Sequence, residues 1–258
     1  MKAPRGLKKI LKTSQSVKLV GSGRFRGFQL LKAGKPTNVK LSGLTKKLDS
    51  KIFSSGSSFP SHAIRGSEKK IGWRGKSGGR RRGSAVDAQL SKCVNSGKLT
   101  PQKGFYSLTK LILIALSESG LVPVLAQRGC SSVSSRVATA SDLICYNSKT
   151  SKLTIVELKC GFSGSRTTAS QIHGKPCHMN APVESAPDCF LNRHMAQLAA
   201  TIQLTQSETK MLEKVASLGV DTSSLEGILL YANEDACDLI PIPEWWMKRA
   251  PRLVRALA

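Results

Sequence analysis

The sequence predicts an α/β fold, with a central mixed β-sheet flanked by helices and a flexible basic arm at the N-terminus. Three observations carry this expectation. Strand-like apolar runs lie mid-chain, at 121–127, 142–147 and 153–160, with helical periodicities before and after them. The 258 residues suffice for one domain with a proper core plus an appendage. The charge is lopsided. Lys and Arg number 40 against 16 Asp and Glu, and residues 1–82 hold 22 of the cations but only two acids, Asp49 and Glu68.

Residues 1–82 are rich in Gly and Ser and poor in periodic apolar positions, so they read as a largely disordered basic arm. IGWRGKSGGRRRG (71–83) reads as a flexible linker, and its Arg80, Arg81 and Arg82 are candidates for phosphate contact. GFQLLKAG (27–34) is apolar enough to form local structure or dock on the domain, but not to make a core alone. Such an arm favours a polyanion, because each cation that neutralises a phosphate releases counterions. An anionic membrane surface is attracted by the same field. The first residues, basic and acid-free, also have the composition of an organelle transit peptide. That composition continues to residue 82, which favours a nucleic-acid-binding or nuclear-import segment. The longest apolar run, Leu111 to Leu116, is far short of the roughly 18–20 residues that span a bilayer, so no membrane span is expected. Seven scattered cysteines without a secretory signal predict free thiols in a reducing intracellular compartment, whether nucleus, virus- or phage-infected cell, or organelle.

The ordered domain is expected over 83–258. Ser84 is a plausible N-cap for a helix over 84–94, where Val86, Leu90 and Val94 share a face. A second helix is predicted over about 104–118, with Gly120 placed to end it. LVPVLAQ (121–127) reads as a strand, and RGCSSVSSRVATAS (128–141) as turn-rich. DLICYN (142–147) and LTIVELKC (153–160) form a hairpin across the polar NSKTSK. A long irregular segment fills 161–188. Helices follow at 189–206 and 207–218, then a buried strand at 225–233 that DLIPI (238–242) can pair with. A helical tail closes the chain, with Trp245 and Trp246 as packing residues.

The chemistry-bearing feature is Asp142 followed by Glu157-Leu158-Lys159. Alternate residues of a strand share a face, so Glu157 and Lys159 point one way while Val156 and Leu158 point the other. A hairpin brings Asp142, at the start of its strand, beside Glu157. Two carboxylates supply hard oxygen ligands for Mg²⁺, with the Leu158 carbonyl as a further one. The metal polarises a phosphoryl oxygen and lowers the pKa of a bound water, while a lysine orients water or stabilises transition-state charge. Charged residues embedded in the apolar run LTIV-ELK-CGF need such a reason. Ser135 and Arg136, before Asp142, are candidates for phosphate contact, as are Arg166 and Lys175 in the long segment. Cys160, His173, Cys177, His178 and Cys189 are zinc-type residues, but their spacing fits no standard zinc site.

Four pieces, in order, resemble the PD-(D/E)XK nuclease superfamily, in particular its lambda-exonuclease-like branch. They are Gly83-Ser84-Ala85-Val86-Asp87, Ser141-Asp142-Leu143-Ile144, Val156-Glu157-Leu158-Lys159-Cys160, and His194-Met195-Ala196-Gln197-Leu198. The resemblance covers about 80–235 and implies a restriction-endonuclease-like core that hydrolyses DNA with Mg²⁺, which Mn²⁺ replaces. It implies Asp142 and Glu157 as metal ligands and Lys159 as partner of the attacking water. Gln197 would contact the scissile strand or hold Lys159. Asp87 would be the first-helix acid, here shorter than the usual Glu and acting on the metal through water. The activity implied is exonucleolytic trimming of double-stranded DNA in recombination, repair or replication, with endonuclease action as the alternative. A homo-oligomer that encloses the duplex and a single-strand-annealing or recombination partner protein fit that role. The different reading of the same sequence is a non-catalytic nucleic-acid-binding or packaging protein.

Overall fold

The computed structural model describes residues 2–20, 27–32, 34–60, 78–160, 165–233 and 236–258. Its centre is a long hairpin of β4 (Leu121–Ser132) and β5 (Val137–Asn147). β6 (Lys152–Cys160) pairs antiparallel with β5, β9 (Asp221–Ala232) pairs parallel with β6, and β10 (Cys237–Pro241) closes the sheet antiparallel to β9. The parallel step from β6 to β9 is made by the helices α5 (Phe190–Gln206) and α6 (Thr209–Ala216). A two-stranded hairpin, β7 (Gln171–Ile172) and β8 (Lys175–Pro176), lies within the long connecting segment.

Both faces of the sheet are covered. Helices α3 (Gly78–Ser96) and α4 (Ser107–Glu118) bury Leu90, Ile112 and Leu116 against Val156, Leu158 and Leu230. On the other face, Leu198 and Ile202 of α5 and Leu253 of α7 (Glu244–Ala256) pack with Ile144, Ile155 and Leu229. Thus α/β layering with a mixed sheet holds as expected. Gly120, at φ 79°, ends α4 as predicted, and Trp246 is buried against the core. No helix among the described residues is long and apolar enough to cross a membrane.

Two expectations are corrected. The first concerns residues 1–82. Rather than a disordered arm, their described part contains α1 (Leu7–Thr13), β1 (Val17–Val20), β2 (Gly27–Lys32), β3 (Lys35–Gly43) and α2 (Leu44–Lys51). Leu7, Leu11, Leu44, Leu48 and Ile52 are buried in the α5-side core. β3 joins the main sheet through a short parallel pairing, Ser42 with Val137 and Gly43 with Ala138. Helices of seven and eight residues are too short to stand alone; docking supplies their stability. Lysines 18, 32, 35, 40, 46 and 51 remain on the outside, so the basic composition hides an amphipathic pattern. Most of the expected 71–83 linker lies outside the described residues, and from Gly78 onward the chain is helical.

The second correction concerns 128–141. Most of this stretch is strand, with only Val133–Arg136 as the turn. Its small residues serve close packing. A Cβ on Gly129 would lie 2.7 Å from the Val17 carbonyl oxygen, so glycine permits β1 to cross β4. Asp142 therefore sits in the middle of β5, not at its start.

Candidate active site

The β5–β6 ladder runs from Asn147↔Lys152 to Leu143↔Val156 and ends there. The next opposed residues are Asp142 and Glu157. Instead of continuing the ladder, Asp142 turns its carboxylate into the gap, where Oδ2 accepts the N–H of Leu158 (2.9 Å). An extended residue presents its N–H and C=O to the same side, so the Leu158 carbonyl faces this gap too. Val156 and Leu158 are packed in the α3-side core, which sends Glu157 and Lys159 toward α5, as alternation requires.

There α5 presents Gln197, flanked by the buried Ala196 and Leu198. Glu157 Oε1 accepts from Lys159 Nζ (2.7 Å) and from Gln197 Nε2 (2.7 Å), and Gln197 Oε1 in turn accepts from Lys159 Nζ (3.3 Å). Glu157 is only 3% exposed. Burial, then the neighbouring Asp142, pushes its carboxyl up to about 7. Burial also raises Asp142, against the pull of Lys159 and the Leu158 N–H. Burial disfavours the Lys159 ammonium, but Glu157 and Asp142 outweigh it and raise its pKa, so it stays charged.

Asp87 reaches the same gap from α3. Its Oδ1 accepts from Gln127 Nε2 (3.0 Å), and that nitrogen also donates to Asp142 Oδ1 (3.3 Å). Burial and Asp142 push Asp87 up to about 6. Gln127 escaped the sequence reading, being one polar residue at the end of a strand-like run. Arg82, at the start of the same helix, acts electrostatically on Cys160. That thiol is pushed up to about 12 by burial, Asp142, Asp87 and Cys237, against the pull of Arg82.

Beside Lys159, the paired strand β9 carries Tyr231, fully buried, whose hydroxyl meets His194 Nδ1 (2.7 Å). Arg166 lies over the Tyr231 ring (4.1 Å) and donates to Asp238 Oδ2 (2.7 Å), which brings this predicted phosphate contact to the edge of the site. Burial, followed by Lys159 and Arg193, keeps His194 neutral. Tyr231 carried no sequence signal, since its role depends on register with β6.

Other predicted contacts are not gathered here. Ser135 is buried in the β4–β5 turn, which removes it from phosphate contact. Arg136 is exposed on that turn but lies six residues along β5, roughly 20 Å from Asp142. Lys175 is exposed on β8. The side chains of Arg80 and Arg81 lie outside the described residues. Among the described residues, no three His, Cys, Asp or Glu side chains form a metal-binding group, so the zinc-type residues of the long segment do not converge.

The donor set still fits a hard divalent cation. Asp142 lies close enough to Glu157 to raise its carboxyl and to share a hydrogen bond with it, and a backbone oxygen faces the same gap. Mg²⁺ is commonly held by one or two carboxylates with water completing its shell. Fold and site thus define a mixed α/β protein with a part-buried carboxylate–lysine centre at a frayed strand pair. Neither a known protein-family model nor a curated protein sequence matches this chain.

Proposed function

We propose that this chain is a metal-dependent DNA nuclease, with Asp142, Glu157, Lys159 and Gln197 at its active centre. One observation carries the reading: Glu157 and Lys159 meet Asp142, fifteen and seventeen residues earlier in sequence, at the point where the β5–β6 ladder opens. The cost of holding two carboxylates side by side, Glu157 buried and Asp142 half-buried, is explained by a cation. Asp142 and Glu157 would hold that cation together with the Leu158 carbonyl. When bound, Mg²⁺ supplies Lewis-acid activation of the phosphodiester and of the attacking water.

The chain's own groups do the rest. Lys159 Nζ is a charged donor, so it orients the attacking water or bonds a non-bridging phosphate oxygen; it is not a base. Gln197 fixes Lys159 and Glu157 in one geometry through its two hydrogen bonds. The water oxygen forms a bond to phosphorus as one of its protons passes to solvent, the bond to the leaving oxygen breaks, and that oxygen takes up a proton from solvent. Arg166, over the Tyr231 ring, and Arg82, whose charge acts on Cys160, would receive flanking phosphates. The exposed lysines of residues 1–60 add sequence-independent affinity for DNA. Resemblance to the lambda-exonuclease-like branch favours trimming of double-stranded ends in recombination or repair, in an oligomer or beside an annealing protein.

The test uses purified protein with end-labelled linear and closed circular DNA, in Mg²⁺, in Mn²⁺ and in EDTA. Shortening of the linear DNA alone, dependent on metal, is expected. Lys159→Ala should reduce the rate by at least 100-fold. DNA unchanged in every lane would overturn the enzyme reading, and nicking of the circle would replace exonuclease by endonuclease.

A further inference from the structure

Gln127 stands out on backbone grounds. Four described non-glycine residues have positive φ. Arg136, Ser151 and His173 lie in hairpin turns, but Gln127, at φ 55°, lies inside strand β4. The left-handed region is uncommon for non-glycine residues and favours Asn, Asp and His, so glutamine inside a strand needs surroundings that hold it there.

The surroundings are on the page. Leu125 packs in the α5-side core and Ala126 in the α3-side core, as alternation demands. Continued alternation would send Arg128 toward α3. Instead Arg128 is buried on the opposite side, against the Leu11 and Ser14 carbonyls and Glu208. The phase of the strand is reset at Gln127, while pairing with β5 continues on either side of it. The reset leaves the Gln127 side chain in the gap directly across from Asp142. Its amide nitrogen carries two N–H groups and meets two acceptors, Asp87 Oδ1 and Asp142 Oδ1.

We infer that Gln127 is a positioning residue: its amide aims the Asp142 carboxylate at the cation and tethers Asp87 to it, so that Asp87 acts through Gln127 and not as a direct ligand. This rests on the reading of Asp142 as a cation ligand. It also explains why Asp87 makes no third member of a converging metal group. Outer partners that orient a ligand are worth about 10- to 100-fold in metal affinity.

Gln127→Gly separates the two functions of the residue. Glycine adopts positive φ without strain, so the backbone is kept and only the amide is lost. Mn²⁺ binding is titrated by electron paramagnetic resonance on the full chain without DNA, and thermal denaturation is followed on the same samples without metal. The expected result is Mn²⁺ affinity weakened about 10- to 100-fold, with a melting temperature equal to or above that of the unaltered chain. A glutamine that merely supports the fold would lower both together, and that outcome overturns the inference. So does a Gln127→Gly affinity within twofold of the unaltered protein. If the unaltered protein itself binds no Mn²⁺, the metal reading of Asp142 falls, and the inference with it.

Discussion

Replacing Glu208 by Gln tests whether the N-terminal segment is part of the fold. Arg128 is fully buried, with Nε on the Leu11 carbonyl (3.0 Å) and Nη2 on the Ser14 carbonyl (3.0 Å). Its only anionic partner among the described residues is Glu208, which is 11% exposed. Glu208 also accepts from Ser16 Oγ (2.8 Å), so the pair ties the chain after α1 to the start of α6. Removing one partner of a buried ion pair costs about 3–5 kcal/mol, because the other charge is left uncompensated. Glutamine retains an acceptor oxygen and the site touches solvent, which places the cost near the lower end, about 3 kcal/mol. For a chain of this size the melting temperature should fall by roughly 6–12 °C. Calorimetry on Glu208→Gln reads that shift, and limited proteolysis should show earlier cleavage within residues 5–20. Arg128→Met in the Glu208→Gln background should recover part of the loss, since the stranded charge is gone. A Glu208→Gln melting temperature within 1 °C of the unaltered protein, with unchanged proteolysis, would refute the docking argument.

Gly129→Ala should destabilise by about 1–3 kcal/mol in urea denaturation, because the new methyl meets the Val17 carbonyl oxygen at 2.7 Å and its Cγ2 at 2.8 Å. Glu157→Gln should abolish cleavage and yet stabilise the metal-free protein at neutral pH. Glu157 is raised to about 7, above its unfolded value of 4.5, so its favourable contribution is present below pH 4.5 and is lost as pH rises through about 7. His194 runs the other way, being held neutral, so the informative quantity is the difference between the two proteins. Melting curves from pH 4.5 to 8 should show Glu157→Gln gaining on the unaltered chain as pH rises, and added Mn²⁺ should stabilise only the latter.

The core site was legible because strand alternation and hairpin pairing are local rules. Glu157 and Lys159 had to share a face, and a turn between 147 and 152 had to return the chain beside Asp142. Gln197 and Asp87 were readable from the resemblance alone, as neither spacing nor composition links a helix residue to a particular strand. Gln127 and Tyr231 were not legible, because each acts through a partner fixed only by tertiary register: Gln127 across β4–β5, Tyr231 across β6–β9. The N-terminal segment was misread for a different reason. Its apolar pairs Leu7/Leu11 and Leu44/Leu48 do have helical spacing, but lysines between them masked the pattern, and their burial depends on elements far away in sequence, β4 and α6 for the first pair and α5 and β5 for the second.

That misreading matters for the chemistry. A disordered arm would add charge and nothing else, leaving the candidate site to the nearly neutral remainder. The folded segment instead reaches the helix that carries Gln197. Asp188, fully buried, accepts from both Nε (2.6 Å) and Nη2 (2.8 Å) of Arg193, from the Ser54 N–H (2.9 Å) and from Ser170 Oγ (3.1 Å). Arg193 lies against the rings of Phe53 and Phe59, and Phe59 stacks on Phe190 at 3.8 Å. Residues 53–59 therefore brace the first turn of α5, and Arg193 sits one turn before Gln197. The same hub holds Ser170, in the same connecting segment as Arg166. A buried charge network of this kind contributes little net stability but penalises every arrangement that breaks it. Here the penalty falls on displacing α5 or the Arg166 segment, the two pieces that must stay in register with Lys159 and Tyr231. The basic N-terminal residues thus present lysines to solvent with one face and hold the geometry of the candidate site with the other.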